Sequence, residues 1–379
     1  MNLTPFLLDH WLNHYHFADP PVRYDLASST GPVWTVQELL DLLNEDQRRD
    51  LVDSRVLYCD ASGATELRRA IADMQSVEPD DVQILTGGAE ALLILFFLAA
   101  GPGANVILPF PGFPPFHALP QSLGIETRFY HLRPEDQFQI DLQEIIGQSD
   151  GNTKLILVNS PHNPTGATLS DAELLCLHDF AAERGIQFVV DEVYHPIYHG
   201  RETASAAALP HATVMGDFSK AFCLSGLRIG WLVDRNRSRM EQYLNARCYF
   251  TISNSPITES LAVAAVQHRD RIFSRLRSVA AENLTLLDDF FARQSDVLGW
   301  VRPQGGMTGF PWLIDGSDSR SFCQTAAEHG VLLAPGDCFE MPRHFRLGFG
   351  AADTGFADAL AELESVIRRE TPVAAQKRA

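Results

Sequence analysis

The basic residues of this sequence form no block that would suit a polyanion. The 30 lysines and arginines are dispersed among 48 acidic residues, and the formal net charge is −18. A nucleic-acid-binding protein is expected to carry a positive patch that neutralises phosphates. The composition therefore argues against a nucleic-acid partner, and it is compatible with a cationic small-molecule substrate.

Cysteine pairs at metal-binding spacing are also lacking. No C-x-x-C pair occurs among the six cysteines, which are Cys59, Cys176, Cys223, Cys248, Cys323 and Cys338. This scattered pattern argues against a zinc site and against the disulfide framework of a small secreted protein. We expect no metal and a cytoplasmic location.

Segments for membrane insertion or secretion are missing as well. The longest apolar stretch, ALLILFFLAAG at residues 91–101, has about half the length needed to cross a bilayer. Residues 1–20 lack the basic start and the continuous apolar centre of a signal peptide. The sequence predicts no membrane partner, and the apolar stretch is better interpreted as a buried helix.

Short apolar stretches alternate with helical ones between residues 80 and 235. Seven of them have the composition of strands: VQIL, NVILP, ETRFYHL, KLILVNS, IQFVVDE, ATVMGD and RIGWLV. This alternation indicates an α/β fold with a mostly parallel seven-stranded sheet covered on both faces. The 379 residues suffice for two lobes. We predict a large domain over residues 46–275 and a small α+β domain formed by residues 1–45 and 276–379.

One lysine stands in an otherwise apolar segment. In MGDFSKAFCLSGLRIGW, residues 215–231, Lys220 precedes Arg228 by eight residues. A buried ammonium is costly unless it is paired or deprotonated, and a lowered pKa prepares an amine to form a Schiff base. The alternative is a solvated lysine in an exposed loop, so this segment indicates covalent chemistry only if the rest of the chain supplies partners.

A glycine pair marks a candidate phosphate site. In ILTGGAEALLILFF a predicted strand is followed by Gly87, Gly88 and the start of a helix. Glycines let the backbone approach an anion, and the N–H groups of the first helical turn point toward it. A plain turn is the alternative, and the lack of a following G-K-[ST] excludes a Walker loop.

Two further motifs follow predicted strands. The proline-rich loop LPFPGFPPFHAL carries Phe113 and Phe116, which could stack on a flat heterocycle or simply fill the core. LILVNSPHNPTG places Asn159 and Asn163 at a strand end, where ligands bind in open α/β sheets. Asn163 could donate to a ring oxygen, although an Asn-Pro turn is a frequent alternative.

A carboxylate ends the predicted strand IQFVVDE. Asp191 is costly to bury there unless it faces a cation such as a protonated pyridine, and Tyr194 could bond the phenolic oxygen of the same ring. Arg228 supplies an always-charged fork suited to phosphate. Each feature has an ordinary explanation alone, but the order G-G, aromatic loop, N-P-x-G, D-x-x-Y, S-K, G-L-R-x-G is specific.

This order resembles that of the fold-type-I pyridoxal 5'-phosphate (PLP) enzymes of the class I/II aminotransferase family, from YCDASGATELRRAIA through FRLGFG. The resemblance implies that Lys220 bonds the cofactor and Asp191 pairs with its pyridine nitrogen. It also implies that Tyr194 and Asn163 contact the ring oxygen O3′ and that Phe113 stacks on the ring face. The residues implied at the phosphate are Gly88, Ala89, Ser219, Arg228 and, from a second subunit, Tyr58. Arg346 is implied to bind the substrate carboxylate. Gly31 matches a glycine of the mobile N-terminal segment. A homodimer is implied because the tyrosine reaches across subunits.

Asp217 departs from this family pattern. Many relatives carry a serine or threonine at the position three before the lysine, near the phosphate. A carboxylate beside a dianion is unfavourable unless it turns away or pairs with Arg228. The departure leaves the phosphate contact at this position open.

Peripheral segments resemble a narrower group of enzymes. LLDHWLNHYHFADPPVRYDLASSTGPVWTVQELL, SNSPITES, GGMTGFPWL and HGVLLAPG resemble capreomycidine synthase. A related resemblance is to the cyanobacterial cyclase that makes enduracididine from γ-hydroxyarginine in guanitoxin biosynthesis. It implies a PLP-dependent lyase or cyclase that turns a hydroxylated L-arginine into a cyclic guanidino amino acid. The implied steps are Cα deprotonation, loss of water and guanidine addition.

The sequence defines the residues that would recognise a hydroxyarginine side chain less clearly than those that would bind the cofactor. The candidate guanidinium partners are Asp9, Asp25 and Glu90, each equally explained as a surface or helix-start carboxylate. The hydroxyls that could handle the leaving group are Ser28, Ser29 and Thr30, for which a simple loop role is the alternative.

Two other functions remain open at the level of sequence. An ordinary aminotransferase, using an amino acid and a 2-oxo acid, would share every cofactor motif. A catalytically silent ligand-binding module that kept the fold belongs to a different class. The complete set of polar residues for the cofactor argues against the silent module.

Overall fold

The computed structural model describes residues 3–351 and 355–370. Its strands are β1 Tyr24–Asp25, β2 Val82–Leu85, β3 Asn105–Phe110, β4 Glu126–His131, β5 Thr153–Asn159, β6 Gln187–Asp191, β7 Ala212–Asp217, β8 Gly230–Asp234, β9 Leu298–Gly299, β10 Thr308–Gly309, β11 Trp312–Leu313, β12 Val331–Leu332, β13 Ala334–Pro335 and β14 Phe345–Gly348. Its α-helices are α1 Leu7–His16, α2 Val36–Leu40, α3 Glu45–Val52, α4 Thr65–Gln75, α5 Gly88–Ala99, α6 Pro115–Ser122, α7 Leu142–Gly147, α8 Asp171–Arg184, α9 Arg237–Phe250, α10 Pro256–Gln267, α11 Arg269–Arg293, α12 Ser319–Glu328 and α13 Phe356–Glu370. Short 3-10 helices span Pro79–Asp81, Pro134–Asp136, Ala206–Ala208, Ser225–Leu227 and Gly336–Phe339.

Seven strands form the central sheet in the order β2-β8-β7-β6-β5-β3-β4. The strands β3 to β7 are parallel, and β8 pairs antiparallel with β2 and β7. Alternate residues of β5 enter two separate apolar clusters, with Ile156 and Val158 in one and Leu155 and Leu157 in the other. Burial on both faces explains why these strands are continuous apolar runs. The predicted α/β fold with a mostly parallel seven-stranded sheet is confirmed.

An N-terminal and a C-terminal part of the described chain meet outside the central sheet. Strand β1 pairs parallel with β12, so that Tyr24 lies opposite Val331, and the indole N–H of Trp11 donates to the Leu333 carbonyl at 2.8 Å. The short sheets β10-β14-β13 and β11-β9 complete this region. The domain limits at residues 45 and 275 stay a prediction.

The apolar stretch at residues 91–101 contributes to α5, a 12-residue helix with most of its side chains buried. Across residues 3–351 and 355–370, no helix has both the length and the apolar character needed to span a membrane. The cytoplasmic location stays a prediction.

Candidate active site

The carboxyl ends of β5, β6 and β7 lie beside a cavity of about 330 Å³. Strand register places Asn159 opposite Asp191 and Asp191 opposite Met215, and Lys220 follows the end of β7 by three residues. Ten of the twelve residues to which the family resemblance assigns a role line this cavity: Gly88, Ala89, Phe113, Asn163, Asp191, Tyr194, Ser219, Lys220, Arg228 and Arg346. Residues far apart in the chain thus meet at the sheet edge, where open α/β folds bind ligands.

The amine of Lys220 lies inside the cavity. Its Nζ donates to Ser29 Oγ at 2.9 Å. Burial, reinforced by the positive charge of Arg346, lowers the pKa of Lys220 to about 8. About a tenth of the amine is therefore neutral at pH 7 and half at about pH 8, and bond formation with a carbonyl requires this form.

Capture of the cofactor aldehyde by Lys220 is expected to accelerate as the pH rises and to level off above about pH 8. Only the neutral amine attacks the aldehyde, and the fraction of neutral amine rises until the pH is above the lowered pKa of Lys220. An unperturbed lysine, with a pKa of about 10.4, would keep gaining rate to higher pH. Rapid-mixing absorbance of apoenzyme with PLP measures this profile. A rate that still climbs about tenfold per pH unit above pH 9 would contradict it.

Asp191 presents a buried carboxyl group to the same cavity. Its side chain is buried, and the Val193 N–H donates to Oδ1 at 3.1 Å. Burial raises the pKa of Asp191 to about 7, and the nearby carboxylates of Asp217 and Glu192 add to the rise, whereas the charge of Lys220 opposes it. A protonated ring nitrogen next to Asp191 would supply a compensating charge and favour the ionised acid.

Tyr194 and Asn163 offer polar groups beside Asp191. The buried Tyr194 hydroxyl lies near Ser29 but meets hydrogen-bond geometry with none of the described residues. Burial raises its pKa to about 12, so it stays a neutral donor. Asn163 Oδ1 accepts from Arg346 Nη1 at 3.2 Å. An unpaired buried hydroxyl is costly, which favours a ligand oxygen as its partner.

Two phenylalanines of the proline-rich loop take different places. Phe113 lines the cavity, and its ring packs edge to face against Phe6 and Phe116 at centroid distances of 5.9 Å. Phe116 is fully buried in the core. Phe113 is therefore the aromatic residue placed to contact a flat ring.

The glycine pair forms a close approach to Arg228. Gly87 has φ +82°, and a Cβ built there would lie 2.9 Å from Arg228 Nη2. Arg228 Nη1 donates to the Ser225 carbonyl at 3.1 Å and contacts Ser219 Oγ at 3.5 Å. The first turn of α5 and this guanidinium converge on a space that would suit a phosphate.

The carboxylate of Asp217 also lies in this space. It accepts the backbone N–H of Gly88 on one oxygen and the backbone N–H of Ser219 on the other. The side chain is 7% exposed. Asp217 therefore does not turn away from the phosphate donors but binds two of them.

Arg346 on β14 is buried in the lining of the same cavity. Its Nη2 donates to the Ala27 carbonyl at 2.7 Å, whereas Nε has no partner among the described residues. The guanidinium also lies over the Phe339 ring, 5.2 Å from its centroid. A buried guanidinium with an unused donor is suited to a carboxylate ligand.

Other predicted residues lie outside the cavity lining. Ser28 donates its hydroxyl to Asp25, and Thr30, two residues further along the chain, is partly buried. Gly31 packs against Cys223, whose Sγ would lie 2.2 Å from an added Cβ. Tyr58 is 81% exposed. A single chain does not bring Tyr58 to the cavity, and its contact with the phosphate from a second subunit stays a prediction.

The three candidate guanidinium partners differ sharply in their surroundings. Asp25 accepts the Ala27 and Ser28 backbone N–H groups at 2.9 and 3.0 Å and bonds His16 at 3.0 Å. Glu90 is similarly occupied, because Thr86 N–H and the Thr251 hydroxyl both donate to it at 2.6 Å.

Asp9 alone of the three lines the cavity. It is exposed, and among the described residues its carboxylate accepts one bond, from Asn13 Nδ2 at 3.2 Å. Asp25 and Glu90 organise the backbone, which leaves Asp9 as the acid available to a ligand.

Part of the cavity lining comes from the N-terminal segment, where only Asp9 and Ser29 were named from the sequence. Phe6, Leu8 and Leu12, from α1 and the residue before it, also line the cavity, and Ser29 supplies the hydroxyl bonded to Lys220. Leu8 and Trp11 are the buried residues of α1, and their spacing in the sequence carries no sign of which ligand that helix covers.

The chain has groups that match each part of PLP. The unpaired Tyr194 hydroxyl suits a phenolic oxygen, the buried Asp191 with its raised pKa suits a pyridinium, and Lys220 with its lowered pKa suits an aldehyde. The phosphate would lie at Gly88 and Arg228, where Asp217 is the one discordant group.

The fold and the cavity define a class of enzyme. The family model described as aminotransferase class I and II matches residues 24–362, and the chain belongs to that family. It is a PLP-dependent enzyme of the aminotransferase superfamily, so the predicted family and cofactor are confirmed.

One relative by sequence and two solved structures show which enzymes the chain is similar to. Capreomycidine synthase of Streptomyces vinaceus is 30% identical over 352 residues, which are 90% of this chain and 88% of the relative. A PLP-dependent aminotransferase from Streptococcus suis 89-1591 has a TM-score of 0.90 at 27% identity, covering 97% of this chain and 99% of that one. The PLP-dependent cyclase OrfR has a TM-score of 0.89 at 27% identity, covering 98% of both chains. The similarities thus include cyclases as well as an aminotransferase.

Proposed function

We propose that this enzyme converts a hydroxylated L-arginine into a cyclic guanidino amino acid of the enduracididine or capreomycidine type, without moving the amino group. The observation that carries this proposal is the composition of one cavity, which holds Lys220, the buried Arg346 and the open carboxylate of Asp9. Similarity to capreomycidine synthase over 90% of the chain supports it.

The two charged side chains give the substrate an orientation. Arg346 binds the α-carboxylate of the substrate through its unused Nε–H donor. Asn163 holds the side chain of Arg346 in place, because its Oδ1 accepts from Arg346 Nη1 at 3.2 Å. Asp9 on α1 binds the cationic far end of the substrate. The reacting carbons then lie between these anchors, within reach of Lys220.

Lys220 is the base in this proposal. PLP supplies the electron sink that stabilises negative charge at the substrate Cα. The neutral Nζ of Lys220 takes the Cα proton, and it also takes a Cβ proton if the hydroxyl is on Cγ. Its bond to Ser29 Oγ, at 2.9 Å, keeps the amine directed into the cavity.

Ring closure balances without an oxidant. The substrate hydroxyl leaves with a proton as water, and Ser29 is the cavity hydroxyl placed to carry that proton from Lys220. A guanidine nitrogen then bonds the carbon that lost the hydroxyl and gives up one proton. Lys220 returns a proton to Cα and, where a Cβ proton was removed, a second proton to Cβ, so the product is the substrate minus one water.

Asp9→Asn is expected to weaken binding of arginine about tenfold, because the variant loses one partly exposed, charge-assisted hydrogen bond to the guanidinium of arginine. Binding of norleucine, which lacks the guanidinium, should not change. Titrations of the holoenzyme by cofactor absorbance measure both constants. Asp46→Asn is a matched control, because Asp46 lies on α3 and bonds Arg49 at 3.2 Å. Equal weakening of both ligands, or no weakening of arginine, would remove Asp9 from substrate recognition.

The proposed function is tested by the mass of the product. Holoenzyme is incubated separately with 3-hydroxyarginine, 4-hydroxyarginine and arginine, with no 2-oxo acid added. We expect one hydroxylated substrate to yield a cyclic product lighter by one water, and arginine to remain uncyclised. Turnover of neither hydroxylated substrate would defeat the proposal.

An ordinary aminotransferase is the second candidate. The Streptococcus suis aminotransferase, with a TM-score of 0.90, favours it because that structure is as similar as the cyclase. This activity would appear in the same incubations as a 2-oxo acid product, sustained only when a second 2-oxo acid is supplied.

We also propose a homodimer in which Tyr58 of the partner subunit completes the phosphate site. Val56, Leu57 and Tyr58 are 77%, 58% and 81% exposed in the single chain. Adjacent apolar side chains at such exposure suit a subunit contact. Sedimentation equilibrium should give a dimer, and a monomer at micromolar concentration would oppose this assembly.

A further inference from the structure

Asp217 ends strand β7 of the central sheet and lines the cavity at the end where the phosphate donors lie. One carboxylate oxygen accepts the Gly88 N–H at the start of α5, and the other accepts the Ser219 N–H. The side chain is 7% exposed, so water is a poor substitute for these donors. Asp217 satisfies backbone groups that would otherwise be unpaired.

The same donors suit a phosphate. The positive end of the α5 dipole is at Gly88, and Arg228 lies on the other side of Gly87. A Cβ at Gly87 would lie 3.3 Å from Asp217 Oδ2 and 2.9 Å from Arg228 Nη2, so the carboxylate and the guanidinium flank one point. The Asp217 carboxylate is therefore the anion that occupies this site, at the donors that would suit a phosphate.

We propose that Asp217 is an internal competitor for the phosphate group of PLP. Without cofactor, its carboxylate holds the N–H groups of Gly88 and Ser219. When PLP binds, the phosphate takes these donors and displaces the carboxylate, which stays nearby as a like charge. Cofactor binding is then an exchange of one anion for another, so it is weaker and more readily reversed than at a neutral residue.

The competition predicts opposite effects on the apoenzyme and on cofactor affinity. Asp217→Ser removes the resident anion, so the apoenzyme should melt at a lower temperature and should regain stability when inorganic phosphate is added. Wild-type apoenzyme should respond less to phosphate, because its anion site is filled. The same variant should bind PLP at least about tenfold tighter, since the repulsion between the two anions is gone.

Matched variants and ligands isolate the charge. Asp217→Asn removes the charge at nearly constant shape and serves if the serine variant folds poorly. Asp217→Glu keeps the charge and should remain a weak PLP binder. Pyridoxal lacks the phosphate, so its affinity should be the same in wild type and Asp217→Asn.

Titration of apoenzyme with PLP and with pyridoxal, followed by absorbance, measures these constants at one ionic strength. Tighter PLP binding in Asp217→Ser or Asp217→Asn, with unchanged pyridoxal binding, supports the competition. The competition is overturned if both variants bind PLP as weakly as the wild type or more weakly. Asp217 would then stabilise bound PLP instead of competing with its phosphate. These outcomes involve no substrate, so they stand whether or not the cyclase proposal survives.

Discussion

Lys220→Ala is expected to lower turnover of the hydroxylated substrate by at least about 10⁴-fold and to abolish the visible absorbance of the lysine-bound cofactor. The reason is that one amine has two tasks, bonding the cofactor and moving the substrate protons. Its Nζ lies in the cavity at 2.9 Å from Ser29 Oγ, with a pKa lowered to about 8. Steady-state rates and the absorption spectrum of the reconstituted protein measure the two losses.

Lys154→Ala provides the matched control. Lys154 is the other lysine within the described ranges, and it is exposed on β5, outside the cavity lining. This variant should keep both the absorbance and the rate. If the Lys220 variant kept its colour and its activity, covalent binding at this position would be wrong.

Asp191→Asn is expected to reduce turnover by about 10² to 10⁴-fold, the range for removing one partner of a buried charged pair. An amide cannot hold the cofactor ring nitrogen in its protonated form, so the ring draws less charge from the substrate Cα. Lys220 still bonds the cofactor, so absorbance should persist. Exchange of the Cα proton with deuterated water should slow by the same factor as turnover.

Glu192→Gln separates this effect from loss of folding. Glu192 is the next residue and equally buried, but its carboxylate accepts from the Ser205 hydroxyl at 2.7 Å and from the Ala206 N–H at 2.6 Å. We expect its rate to stay close to wild type even if its melting temperature falls. Similar losses in both variants would indicate that Asp191 acts through stability alone.

The central sheet was predictable because its strands are buried on both faces. A continuous apolar run such as that of β5 indicates a parallel strand between two helical layers, and each run ends close to where its strand ends. Asn159, Asp191 and Asp217 could be placed near one another for the same reason, since neighbouring parallel strands bring their carboxyl ends to one edge.

Side-chain pairing could not be predicted in the same way. Ser28 and Ser29 are adjacent and chemically identical, yet one bonds Asp25 and the other bonds Lys220 across 191 positions of sequence. Which serine faces the cavity depends on the loop that Asp25 organises through the Ala27 and Ser28 N–H groups. That loop geometry leaves no periodic signal in the sequence.

The candidate acids show the same limit. Glu90 and Asp9 both lie near helix starts, but Glu90 bonds the Thr251 hydroxyl far along the chain, whereas Asp9 stays open to the cavity. The departure at Asp217 was visible in the sequence as an acid near a phosphate site. Its bonds to Gly88 and Ser219 required the structure, because a carboxylate at a strand end has several possible directions.

The fate of the α-amino nitrogen tests the central claim most directly. Holoenzyme is mixed with an equal amount of hydroxyarginine labelled with ¹⁵N at the α position, with no 2-oxo acid present, and both the product and the cofactor are analysed. The account predicts a cyclic product that keeps the label and a cofactor that ends in its aldehyde form. A 2-oxo acid product with the label on pyridoxamine phosphate would contradict it.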